Sequence, residues 1–178
     1  MELITRRTLL AAAGTLTVAA PMRKPRAGEL LDMSELKIEP EPAPLPDASF
    51  TDADGAEHTL ADFRGRGIVL NLWATWCVPC VKEMPALETL AGTIGDGIVL
   101  LPLSSDRGGK ATVERFYTQH GIVKLPIWLD PKGAAARAWG ARGLPTTYII
   151  DREGRVKAKL EGGADWAYAA DMIRKLVG

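Results

Sequence analysis

Two cysteines and two histidines are all that the 178 residues contain of the commonest soft metal ligands, and that scarcity sets the first limits. All thiol chemistry falls on Cys77 and Cys80. Tetrahedral zinc takes about four ligands, and neither His58 nor His120 stands at finger-like spacing from the pair, which argues against a zinc site and leaves no metal site assigned. A disulfide kept only for stability is also disfavoured, because bridging residues three apart closes too short a loop to remove much chain entropy. Excess charge of one sign is missing as well: 22 Lys and Arg balance 22 Asp and Glu. Without a basic excess nothing points to nucleic acid as a partner, and docking is expected to be mainly apolar and backbone-mediated. No internal repeat is present, so the length fits one globular domain plus an appendage.

What is present is Trp76-Cys77-Val78-Pro79-Cys80. Two thiols separated by two residues close a small disulfide ring. When such a pair opens a helix, the first sulfur meets the positive end of the helix dipole, which stabilises its thiolate. A thiol of lowered pKa is both a nucleophile near neutral pH and a good leaving group, so the pair exchanges with a partner's disulfide in either direction. The flanks agree with that placement. Gly67 to Trp73 is an apolar run of strand length, read as a buried strand that ends just before the dithiol. After it, Val81, Met84, Leu87, Leu90 and Ala91 recur at helical spacing with Lys82, Glu83 and Glu88 between them. Pro79 is tolerated in the first turn, whereas Pro85 is expected to kink the helix.

The segment Asn71 to Pro85, together with Gly143-Leu144-Pro145-Thr146-Thr147, resembles the thioredoxin superfamily, in particular its TlpA/ResA-like extracytoplasmic branch. The resemblance covers residues 45 to 178. It implies an α/β, thioredoxin-like fold: a central mixed β-sheet flanked by helices, with an N-terminal hairpin and a helical insert. It also implies roles for residues at matching positions. Cys77 matches the attacking cysteine, Cys80 the resolving one, and the two together the redox-active disulfide. Pro145 matches the cis-proline that sets the backbone of Leu144 beside the dithiol for an extended client peptide. Trp76 would form an apolar shoulder of that docking groove. Thioredoxin has a buried aspartate six positions before the first cysteine, where this chain has Asn71, and an amide cannot accept a proton. Glu83 matches a glutamate of the TlpA/ResA branch and is a candidate to move the proton of Cys80. The competing expectation for Glu83 is a solvated first-turn carboxylate.

The rest of the chain reads in order. Paired arginines, Arg6 and Arg7, precede an apolar run from Thr8 to Ala20, the pattern of a twin-arginine export signal. As a helix that run spans about 20 Å against a hydrocarbon core of ~30 Å. Residues 1–20 are therefore assigned to an export signal or a short membrane anchor, with cleavage and tethering both left open. Residues 21–44 form a Pro-rich linker expected to be a stiff extended spacer, and residues 45–178 the thioredoxin-like domain. Within it a hairpin turns at Asp54-Gly55, a strand is expected at Gly97 to Leu103, a helix at Lys110 to His120, a short extended piece at Ile127 to Leu129 and a helix opened by Asp130. A hairpin joins Thr146–Ile150 to Val156–Leu160, and a helix from Asp165 to Val177 closes the chain. The stretch Ser104 to Lys110 lacks the glycine and hydroxyl positions of a P-loop and is read as a loop before a helix.

The leading functional expectation is an extracytoplasmic thiol:disulfide oxidoreductase without a cofactor that reduces protein disulfide substrates. The resemblance implies a membrane thiol electron donor and clients such as apocytochromes or copper-site oxidase proteins. Val78-Pro79 adds no positive charge between the cysteines, which favours the reducing end of a range running from about −270 mV for thioredoxin to about −120 mV for a strong oxidant. Two alternatives remain at this point: a copper(I)-binding and delivery module using the same thiolates, and an oxidant that installs disulfides.

Overall fold

The computed structural model describes residues 30–166 and 168–178, so the export or anchor segment lies outside the described residues. An eight-stranded mixed sheet runs in the order β1-β8-β7-β4-β5-β6-β2-β3. Its strands are β1 (Lys37–Ile38), β2 (Phe50–Asp52), β3 (Glu57–His58), β4 (Gly67–Trp73), β5 (Ile98–Ser104), β6 (Trp128–Leu129), β7 (Thr146–Ile150) and β8 (Val156–Glu161). Among the described residues four α-helices accompany them: α1 (Val78–Ala91), α2 (Gly109–His120), α3 (Ala134–Ala138) and α4 (Ala170–Val177). The central strand β4 lies parallel to β5 and antiparallel to β7. Every residue of β4 is buried, as its unbroken apolar run requires of a strand covered on both faces.

Alternation along β4 divides the core. Val69 and Trp73 face a cluster built with α1, α2 and α4, including Met84, Leu87, Phe116 and Ile173. Ile68, Leu70 and Leu72 face a second cluster with Phe50, Tyr148 and Trp139. Asn71 shares the face of Val69 and Trp73, so a polar side chain is aimed at the side where α1 packs. That parity decides the chemistry of the site.

The hairpin at Asp54-Gly55 forms as expected, with Phe50 opposite His58 and Gly55 at φ 85°, a conformation that favours glycine. Helix α1 is continuous through Pro85. Two expectations change. The closing helix starts at Ala170 rather than Asp165; Ala164 is bridged in parallel to Leu31 and Asp165 N–H donates to the Leu31 carbonyl, so the chain there runs along residue 31 as an extended segment. The segment expected to be a free proline-rich spacer is laid on the domain from Leu30 onward. Leu36 is buried and Leu31 and Met33 pack beside it. β1 adds antiparallel to the edge of β8, and Val156 N–H donates to the Ala43 carbonyl at 2.9 Å. Proline content masked the apolar spacing of Leu31, Met33 and Leu36, which is what holds this stretch down.

Candidate active site

Cys77 caps the N-terminus of α1 and Cys80 lies in its first turn. The two are joined by a disulfide, with the Cα atoms 5.2 Å apart. Cys80 N–H donates to the Cys77 sulfur at 3.3 Å, so a first-turn amide and the helix dipole converge on that sulfur. Cys77 retains 6% of its surface and Cys80 none. Around Cys77 two apolar side chains stand out in solvent, Trp76 at 69% and Val78 at 63% exposure. Trp76 is thus exposed beside Cys77, as a docking shoulder would require, and Val78 is exposed on the other side of the cysteine in sequence.

The loop carrying the dithiol is anchored from β5. Asp106, buried after that strand, accepts from Thr75 N–H at 2.9 Å, from Thr75 Oγ1 at 2.7 Å and from Ser104 Oγ at 2.9 Å. Asp106 had no role in the sequence reading beyond membership of a loop.

Glu83 is fully buried, which overturns the expectation of a solvated carboxylate. Cys80, Glu83, Met84 and Leu87 share the buried face of α1 at intervals of three and four, so Glu83 lies one turn behind Cys80. Three donors hold its carboxylate. Asn71 Nδ2 reaches Oε1 at 2.9 Å, while Ala164 N–H and Trp166 Nε1 reach Oε2 at 2.7 and 3.2 Å. Burial raises the Glu83 pKa to about 7, against the lowering effect of the hydrogen bonds from Ala164, Asn71 and Trp166. A buried acid with a pKa near neutrality is suited to exchanging a proton at physiological pH. Asn71 also donates to Thr147 Oγ1 at 3.0 Å, its cross-strand partner on β7. The sequence placed Asn71 where thioredoxin has its buried aspartate but did not reveal it as a donor to Glu83, and the roles of Thr147, Ala164 and Trp166 were missed.

The β4–β7 register also brings in the proline loop. Leu72 pairs with Thr146, so Pro145 falls opposite Trp73, at the strand end that leads to the dithiol. The Leu144–Pro145 peptide bond is cis. Pro145 is buried, and Leu144 packs against the cluster that includes both cysteines. A cleft of about 240 Å³ opens there, walled by Arg142, Leu144, Pro145, Thr146 and Gly162. Among the described residues no group of three or more His, Cys, Asp or Glu side chains comes together as a metal site.

The sequence profile of the AhpC/TSA family matches residues 42–159. The chain belongs to that family. Thiol-disulfide oxidoreductase ResA of Geobacillus thermodenitrificans is 38% identical over 118 residues, covering 66% of this chain and 67% of the relative. ResA of Bacillus anthracis is 33% identical over 136 residues, 76% of each chain. Among solved structures, the exposed lipoprotein thioredoxin of Streptococcus pneumoniae matches with a TM-score of 0.61 at 27% identity, over 73% of this chain and 99% of that one. A DsbF homologue from Corynebacterium diphtheriae matches with a TM-score of 0.63 at 25% identity, over 92% and 98%. This AhpC/TSA member is a thiol-disulfide oxidoreductase of thioredoxin-like fold, of the kind to which ResA belongs. The resemblance stated from the two motifs is thereby established, and Glu83 lies buried one turn behind Cys80.

Proposed function

We propose that the protein reduces disulfides of client proteins outside the cytoplasm, with Cys77 as the attacking thiol. The observation that carries this reading is the alignment of Cys77, Cys80 and Glu83 along one helix, from its N-terminus inward. The Cys77 thiolate attacks a client disulfide, forming a mixed disulfide and expelling one client sulfur as thiolate. Cys80 then gives its proton to the Glu83 carboxylate and attacks Cys77 Sγ, releasing the second client thiolate. The enzyme is left with the Cys77–Cys80 disulfide. Two electrons from a membrane thiol donor, whose thiols are oxidised to a disulfide, reopen the Cys77–Cys80 bond, and Glu83 returns its proton to the Cys80 sulfur while Cys77 is left as the thiolate.

Trp76, Leu144 and Pro145 form the docking surface, the exposed indole on one side and the proline-loop cleft on the other. Val78-Pro79 brings no cation to stabilise the reduced thiolate further, in keeping with a reductant. The arginine pair and apolar run within residues 1–20 support export or tethering, and the pneumococcal relative is described as an exposed lipoprotein. Apocytochromes and copper-site oxidase proteins are the client classes that the TlpA/ResA resemblance suggests.

Trapping with Cys80→Ser tests the cycle. The variant strands the mixed disulfide on Cys77, and mass spectrometry of the adduct names the client. A measured potential below about −200 mV supports reduction, and one above about −180 mV assigns the site to disulfide formation. Absence of any adduct from the compartment's proteins contradicts the cycle.

A further inference from the structure

Two of the three donors to Glu83 come from the segment Gly162 to Trp166, which belongs to no helix or long strand. On its other side lies the strap Leu30 to Leu36. Leu31 N–H donates to the Gly163 carbonyl at 2.6 Å, and Asp165 N–H donates to the Leu31 carbonyl at 3.0 Å. Ala164 sits between those two bonds, bridged in parallel to Leu31. In extended chain, successive amides point to opposite sides. With the Asp165 amide turned toward Leu31, the Ala164 amide faces the other way, and there it meets Glu83.

Gly163 shows how closely the segment is clamped. A Cβ at that position would lie 3.0 Å from Leu30 Cδ2 and 3.1 Å from the Pro79 carbonyl oxygen. The backbone thus runs between the strap and the turn that joins the two cysteines. Leu31, Met33 and Leu36 hold the strap in place by packing on the cluster that contains Cys77, Cys80, Ala164 and Trp166.

We propose that the strap Leu30 to Leu36 is a positioning element of the redox site, fixing the Ala164 amide and the Trp166 indole that hold the Glu83 carboxylate. The proposal rests on the reading of Glu83 as the proton acceptor for Cys80, and extends it to a part of the chain far from the dithiol in sequence. The elements around Glu83 present Asn71 from β4, with Thr147 of β7 behind it, the cysteine pair of α1, and Ala164 and Trp166. The charged neighbours in sequence, Lys82, Asp165, and Asp32 and Glu35 of the strap, are exposed. Loosening the strap therefore acts through hydrogen bonds. Losing donors disfavours the carboxylate and moves its titration upward.

The test uses the full chain with Leu31→Pro, which deletes the amide given to Gly163, and Leu36→Glu, which lifts the apolar anchor and serves if the proline variant fails to fold. Trp166→Phe, which removes one donor directly, calibrates the response. Glu83 titration is followed by carboxyl ¹³C NMR, and hydrogen exchange reads the Ala164 and Asp165 amides. Expected are faster exchange at both amides and a Glu83 pKa raised by about one unit, the size of one lost hydrogen bond to a charge. Faster exchange with an unshifted Glu83 overturns the proposal, as does unchanged protection of the two amides. If the Glu83 titration moves while the pH–rate profile stays in place, the strap assignment stands and the catalytic reading of Glu83 falls.

Discussion

Asn71 donates its side-chain amide to the Glu83 carboxylate across 2.9 Å of buried space, strand to helix. The position where thioredoxin carries a buried aspartate thus holds a donor, and the buried carboxylate lies on α1 instead. This exchange makes a directional prediction. Asn71→Asp would set two buried carboxylates against each other, and they could not both ionise. The upper apparent pKa of the pair should exceed the value of about 7 held by Glu83 alone, by at least ~1 unit. Carboxyl NMR of the oxidised protein checks this; an unmoved Glu83 titration would separate the two side chains functionally.

Stability should carry the imprint of Glu83. Burial raises its pKa from 4.5 to about 7, so the folded protein holds this proton more tightly than the unfolded chain. The contribution is full below the unfolded value and is lost as pH rises toward the folded one. At about 1.4 kcal/mol per unit the swing is about 3 kcal/mol. Urea unfolding of the oxidised parent and Glu83→Gln at pH 4.5 and pH 8 reads it as a difference. The parent should lose about 3 kcal/mol relative to the variant between those pH values, and parallel behaviour would contradict the buried assignment.

Asp106 should be a stability residue with consequences for the site. Asp106→Ala leaves Thr75 N–H, Thr75 Oγ1 and Ser104 Oγ without their acceptor, and is expected to cost about 2–4 kcal/mol. Denaturant unfolding measures the loss, and Asp106→Asn should recover part of it. A change within ~0.5 kcal/mol would mean that the loop before the dithiol is held by other contacts.

Trp76 is expected to behave oppositely. At 69% exposure it adds little to the fold, so Trp76→Ala should leave stability within ~0.5 kcal/mol. KM for a protein disulfide should rise several-fold, while the rate with a small aromatic disulfide stays near that of the parent. Equal effects on both substrates would remove the indole from client docking.

Much of this architecture was readable from the chain because local pattern and tertiary placement agree there. Gly67 to Trp73 is apolar throughout and central in the sheet, and the Val156 hairpin follows its turn residues. The dithiol and Pro145 were readable because few residue types suit those positions. The sequence leaves Glu83 between two environments, since helical spacing alone does not tell which flank of an apolar stripe is covered. Its burial is decided by Asn71, Ala164 and Trp166, separated from it by 12 to 83 residues. The strap is illegible for a similar reason: proline composition describes a lone segment, whereas β1 and Leu36 gain their order from β8 and the core.

The proposed cycle requires one sulfur, at the N-terminus of α1, to react while the other waits behind it. It is tested most directly by reducing the protein, alkylating it briefly across pH 5 to 9 and quantifying each cysteine by mass spectrometry. Cys77 should be modified at mildly acidic pH and Cys80 should lag at least ~10-fold, as expected of a stabilised thiolate beside a buried thiol. Equal, slow modification of both cysteines, rising together only above pH ~8.5, would contradict it.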